Sequence, residues 1–173
     1  MLISESYREQ NAELHARNPR FGFSGYKHVK HIAGLMREYK CRTVLDYGAG
    51  KQSLALAMPW ARIASYDPAI PELAKPPMPA DLVVCTDVLE HVEPMCIQEV
   101  LDDLRRLTLK VIYLEIATNE AKKHLDDGRN AHLIIEPIET WLPQLWQRFN
   151  ISKIDNDVPL KTGFLAVMIP LKG

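Results

Sequence analysis

Three apolar runs that each end on a carboxylate restrict this chain more than any other feature. Val44-Leu45-Asp46-Tyr47 leads into Gly48-Ala49-Gly50 and Lys51-Gln52-Ser53. Ser65-Tyr66-Asp67-Pro68 comes next, and Val83-Val84-Cys85-Thr86-Asp87 continues as Val88-Leu89-Glu90-His91. Short apolar runs bounded by glycine or proline read as buried strands. Strands that alternate with helical stretches build a parallel sheet, and consecutive strands then deliver their carboxyl ends to one edge. That edge is where open α/β sheets bind ligands. Glycine after the first strand permits a turn closed to other residues and lets a ligand approach the main chain. Taken alone, the loop also describes an ordinary strand-to-helix turn. The three acids together give it weight.

The rest of the chain supplies the alternation. Residues 1–20 are polar, helical in part and broken at Asn18-Pro19, and Phe21-Gly22-Phe23-Ser24-Gly25-Tyr26 forms an aromatic and glycine loop. Val29, Ile32, Ala33, Leu35 and Met36 recur at helical spacing and predict an amphipathic helix over 27–40. Strands are expected at 43–47, 62–67, 81–86 and 111–116, helices at 52–58, 94–107 and 137–149, and two closing antiparallel strands at 151–154 and 164–169. Between Asp67 and Asp81 stand Pro68, Pro71, Pro76, Pro77 and Pro79. They leave little room for a helix plus a regular interior strand.

With 173 residues, the expectation is one domain over 1–173, a helical lid region at 1–42 and a ligand-binding core at 43–173. The 47% hydrophobic and 25% charged residues are ordinary for a soluble globular protein, and a net charge of -1 gives no overall pull toward nucleic acid or anionic lipid. Cys41, Cys85 and Cys96 form no C-x-x-C pair, which suits reduced thiols in the cytoplasm. No apolar run reaches membrane-spanning length, and the polar start lacks a signal peptide's apolar centre. A cytoplasmic enzyme with no membrane partner is the expectation.

The segment 43–92 resembles the class I S-adenosylmethionine-dependent methyltransferases, and Asp87-Val88-Leu89-Glu90-His91-Val92 closely matches a D-x-L-E-H segment that often follows the family's fourth strand. The resemblance implies a three-layer Rossmann-like α/β sheet, mostly parallel with a C-terminal antiparallel hairpin. The prolines predict that its third strand is reduced or missing. It implies S-adenosylmethionine as cofactor, held by Asp46, Gly48, Gly50, Asp67, Pro68 and Asp87, with Asp67 on the ribose hydroxyls. The region after the missing strand lacks a convincing acid for the adenine amino group, so Ile70 and Met78 are candidates to sandwich the ring. Gln52 stands where many members carry another glycine.

Methyl transfer needs alignment, plus a base when the acceptor carries a proton. Histidine as a residue type titrates near neutral pH, so His91, with Asp87, is the catalytic candidate; packing or capping is the alternative for His91. Glu90, Tyr26 and the polar insertion at 118–130 with the adjoining His132 mark the acceptor side, where Arg129, Asn130 and His132 suit a small polar molecule. Asp126 and His132 lack a metal-ligating spacing, so no metal is expected. Lys27, His28, Lys30, His31, Arg37, Lys40 and Arg42 offer phosphate contacts, but near-zero net charge favours a solvated helix face over a nucleic-acid partner. Two other functions fit less well. One is a cofactor-binding but inactive partner protein. The other is a nicotinamide oxidoreductase, whose G-x-G-x-x-G is not met here because Gly50 continues as Lys51-Gln52-Ser53.

Overall fold

The computed structural model describes residues 1–18, 21–155 and 163–171, so Pro19 of the expected helix break lies outside the described residues. Helix α1 spans Glu5–Arg17 and α2 Val29–Glu38, the latter entered through a 3-10 turn at Gly25–His28. Then follow β1 (Val44–Tyr47), α3 (Ser53–Ala57), β2 (Ile63–Tyr66), β3 (Ala80–Thr86), α4 (Ile97–Leu107), β4 (Thr108–Ala117), α5 (Ile138–Trp146), β5 (Phe149–Asp155) and β6 (Gly163–Pro170). One sheet runs β2-β1-β3-β4-β6-β5. Its first four strands are parallel, while β6 pairs antiparallel with both β4 and β5. Residues 67–79 hold no strand, only a 3-10 turn at Pro71–Leu73, which leaves β2 at the edge as the prolines predict.

The period of two along each strand divides the core between two layers. Leu82 and Val84 of β3, with Val111 and Tyr113 of β4, pack on Ile32 and Leu35 of α2 and Leu54 of α3. Their alternates Val83, Cys85, Ile112 and Leu114 pack on Val100, Leu101 and Leu104 of α4 and Trp141 and Leu145 of α5. Truncating a residue such as the fully buried Leu101 to alanine would cost about 2–5 kcal/mol. The basic N-terminal segment is not uniformly solvated. His28 is fully buried, with Nε2 3.0 Å from Glu115 Oε2 and Nδ1 3.0 Å from the Tyr113 hydroxyl, so it ties the turn before α2 to β4.

Parallel register brings the acids together. Tyr47 lies beside Tyr66 and Asp46 beside Val84, so the residues that follow β1, β2 and β3 emerge at one edge. Helix α1 lies across that edge. Ser4 caps it by accepting from the Tyr7 N–H at 3.2 Å, and Ser4 N and Oγ donate to Glu93 at 2.8 Å each. The Tyr7 hydroxyl donates to the His91 carbonyl at 2.6 Å.

Candidate functional site

Under α1, at the carboxyl ends of β1, β2 and β3, lies a cavity of about 970 Å³ including its open mouth. Asp46, Gly48, Gly50, Asp67, Pro68, Asp87 and His91 all line it. Leu2, Ile3, Tyr7, His15 and Phe21 close it from the N-terminal side.

The glycine loop is a backbone device. The N–H groups of Gly48 and Ala49 both donate to the Tyr66 carbonyl, at 2.8 and 3.0 Å, so the loop is folded back against β2. Gly48 sits at φ 80°, and a Cβ there would come 2.3 Å from Val88 Cγ2. Gly50 at φ 49° has Gly22 against it, where a Cβ would lie 2.6 Å from the Gly22 carbonyl oxygen. Both positions therefore exclude side chains, through contacts with the protein itself. Gln52, at φ 56°, begins the short α3 in the same left-handed region.

Asp67 is engaged from two directions. Its Oδ2 accepts from the Gly50 N–H and its Oδ1 from the Ala69 N–H, both at 3.0 Å, and His15 Nε2 stands 4.0 Å away. The carboxylate thus braces the loop and still lines the cavity. Asp46 is buried, and burial, then the nearby Asp67 charge, pushes its carboxyl up to about 7. Such a group is poised to favour a cation. His15 is pushed down by burial, and its Nδ1 has no hydrogen-bond partner although it is enclosed.

Beyond β3 the chain turns sharply. Asp87 sits at φ 60°, and a 3-10 turn at Leu89–His91 follows. His91 Nδ1 is 2.7 Å from the Ala131 carbonyl, while its Nε2 lies 3.9 Å from Asp87 Oδ1. Burial lowers the His91 imidazole, but Asp87 and Glu90 outweigh it and hold the group above its ordinary value. Burial conversely raises Asp87, and His91 and His132 bring it below the ordinary carboxylate range. Glu90 is fully buried, and burial pushes it up to about 7. It does not line the cavity; its Oε1 accepts the Ala117 N–H at 2.9 Å.

Of the insertion, the structure brings His132 against His91, its ring centroid 4.8 Å away, although His132 itself falls outside the cavity lining. Asn130 instead clasps its own loop, accepting from the N–H of Ala121 and His132 and donating to the Ala121 carbonyl. Arg129 pairs with Asp127 at 2.6 Å and lies over the Tyr7 ring, outside the cavity lining. Tyr26 is 46% exposed against Phe23, and Ile70 and Met78 also fall outside the lining. The residues not singled out in the sequence are Tyr7, Asn11 and His15, the buried face of α1. Their four-residue spacing is the signal that would have found them.

No protein-family model matches the sequence, and no curated protein matches it. Solved structures do. One is the 1,6-didemethyltoxoflavin-N1-methyltransferase of Burkholderia thailandensis with 1,6-didemethyltoxoflavin and S-adenosylhomocysteine bound, similar over 99% of this chain and 92% of that one, at 13% identity and a TM-score of 0.69. Magnesium protoporphyrin IX methyltransferase from Synechocystis with bound S-adenosylhomocysteine matches over 84% of this chain and 83% of its own, at 13% identity and a TM-score of 0.62. The N-methyltransferase NodS of Bradyrhizobium japonicum, also with S-adenosylhomocysteine, matches over 96% and 100%, at 13% identity and a TM-score of 0.56. The fold of this chain is that of the class I, Rossmann-like S-adenosylmethionine-dependent methyltransferases.

Proposed function

We propose that this protein transfers a methyl group from S-adenosylmethionine to a small polar acceptor. The observation that carries the reading is the convergence of Asp46, Asp67 and Asp87 with the Gly48–Gly50 loop on one cavity. The donor set fits the cofactor. A zwitterionic amino acid joined to a sulfonium and a ribose asks for backbone polar groups, carboxylates near positive charge and an acceptor for hydroxyls. The loop, Asp46 and Asp67 supply these in turn, and the enclosed Nδ1 of His15 is a further polar atom awaiting a partner. Pro68 shapes the wall beside the ribose position. When bound, the cofactor supplies an electrophilic methyl group.

The chain's own residues then do three things. The loop and Asp67 fix the cofactor's orientation, which is the larger part of catalysis for an in-line displacement. The N-terminal residues Leu2, Ile3 and Phe21 exclude water. Asp87 and His91 face the acceptor, with His132 packed behind His91 and His91 Nε2 turned to the carboxylate side because Nδ1 is held by the Ala131 carbonyl. The nicotinamide reading is not favoured, because the loop continues through Gln52 at φ 56° in place of a glycine-rich helix entry. Release of S-adenosylhomocysteine across a panel of hydroxylated, amine and carboxylate acceptors tests the proposal. Turnover with any acceptor supports it. Cofactor binding without turnover across the whole panel would favour a binding-only protein.

A further inference from the structure

We infer that Asp87, Glu90, His91 and His132 form a binding site for one divalent transition-metal ion on the acceptor side of the cavity. Each offers a ligand atom, and those atoms lie within 4.8 Å of one another. Bonds of about 2.0–2.2 Å to nitrogen and oxygen would draw the ligands to roughly 3–4 Å apart, so side-chain rotations of an ångström or less complete the site.

Three independent features make this a built site and not a chance cluster. Both histidines are held by main-chain carbonyls through Nδ1, His91 by Ala131 at 2.7 Å and His132 by Asn119 at 2.5 Å. A carbonyl only accepts, so in the neutral imidazole each Nδ1 carries the proton and each Nε2 presents its lone pair. This is the outer-shell arrangement that orients metal-ligating histidine. Next, Glu90 is fully buried, and while Oε1 takes the Ala117 N–H, Oε2 has no hydrogen-bond partner. An enclosed carboxylate oxygen without a donor calls for a positive charge beside it. Finally, the insertion is folded so as to deliver His132. Asn130 clasps Ala121, the Ala131 N–H donates to the Lys123 carbonyl at 3.0 Å, and His124 bridges Asn130.

The sequence hides this site because its fourth ligand is remote and the nearer pair, Asp126 and His132, does not converge: Asp126 pairs with Arg17 instead. Two imidazoles with two carboxylates suit zinc, manganese, iron, cobalt or nickel better than the all-oxygen shells of magnesium and calcium. Asp87 and His91 line the cavity, so one face of the ion would stay open to it. An acceptor with an oxygen or nitrogen donor would bind there and lose its proton more readily. That last role rests on the methyl-transfer reading; ion binding does not.

The test uses full-length protein stripped with a chelator, then titrated with manganese(II), followed by electron paramagnetic resonance, and with zinc(II), followed by calorimetry. The expected result is one ion per chain, bound at least tenfold more weakly by His132→Asn and by Glu90→Gln. His31→Asn, which removes a histidine outside the cluster, should bind as the parent does. Circular dichroism and thermal melting confirm that each variant is folded. Should Glu90→Gln unfold, His132→Asn alone decides. Absence of stoichiometric binding, or equal affinity in a folded His132→Asn protein, overturns the inference. A separate titration with S-adenosylmethionine keeps the two readings apart: metal binding without cofactor binding would sink the function and leave this site standing.

Discussion

The two ends of the cavity are built on different principles. At the end proposed for the cofactor the parts are backbone: the amides of Gly48 and Ala49 on the Tyr66 carbonyl, and the amide of Gly50 on Asp67. Pairing of β1 with β2 fixes them, so their geometry follows from the sheet. At the end proposed for the acceptor the parts are side chains from the turn after β3 and from a long insertion after β4, held by loop hydrogen bonds such as Asn130 to Ala121. A sheet-determined end is rigid and tolerates little change in shape. A loop-determined end can vary its side chains while the scaffold stays put, which is how one fold serves many substrates.

The largest effect expected from breaking this contrast is at Gly48. Gly48→Val must place a β-branched residue at φ 80° and against Val88, which strains the loop and displaces it from Tyr66. Stability should drop by about 2–4 kcal/mol in thermal or urea unfolding, and S-adenosylmethionine binding should be lost in calorimetry. Normal affinity would show that the loop's shape is irrelevant to the ligand.

At the acceptor end the expected effect falls on rate alone. His91→Gln should leave cofactor affinity within about twofold and lower turnover by about 10–10⁴-fold, once an acceptor is in hand. A parallel loss of cofactor affinity would show that the two ends are not separable.

Asp67→Ala comes next, because it removes a carboxylate that serves both the loop and the cavity. Loss of charged hydrogen bonds predicts about 1.5–3 kcal/mol weaker S-adenosylmethionine binding. Since the Gly50 and Ala69 amides also lose their acceptor, melting should shift downward too. Unchanged melting with weakened binding would mean that the loop holds itself.

These two ends were unequally legible in the sequence. Asp46, Gly48, Gly50, Asp67 and Asp87 could be placed from strand ends alone, since parallel strands share an edge whatever their loops do. The prolines between Asp67 and Asp81 likewise announced the absent strand. Arg129 and Tyr26 were singled out by residue type, yet lie outside the lining, because a loop's side-chain directions depend on contacts that no periodicity encodes. The buried face of α1 went unread for a related reason. Tyr7, Asn11 and His15 are polar enough to pass as a solvated helix, and only docking over the cavity gives them a role.

A smaller effect concerns pH. In the folded chain Asp46 holds its proton up to about 7, whereas in the unfolded chain it ionises in the ordinary carboxylate range. Stability from this group is therefore full at acid pH and is lost as pH rises toward 7. A cationic ligand favours the ionised form, so S-adenosylmethionine affinity should rise about tenfold between about pH 6 and 8 through Asp46. Asp46→Asn should flatten that part of the profile, and an identical slope in the variant would remove Asp46 from the cation's surroundings.

The smallest expected effect is at Arg129, whose partner Asp127 is exposed. Arg129→Ala should change stability by under about 0.5 kcal/mol in urea unfolding, as surface pairs do. A larger loss would make its position over Tyr7 part of what holds α1 on the cavity.

Calorimetric titration of the parent protein with S-adenosylmethionine, S-adenosylhomocysteine and NAD near neutral pH tests the central claim most directly. Saturable binding of one S-adenosyl ligand per chain in the micromolar range, with no heat from NAD and none for either S-adenosyl ligand in Gly48→Val, is the predicted result. Flat titrations with both S-adenosyl compounds on a folded, monodisperse protein would contradict it.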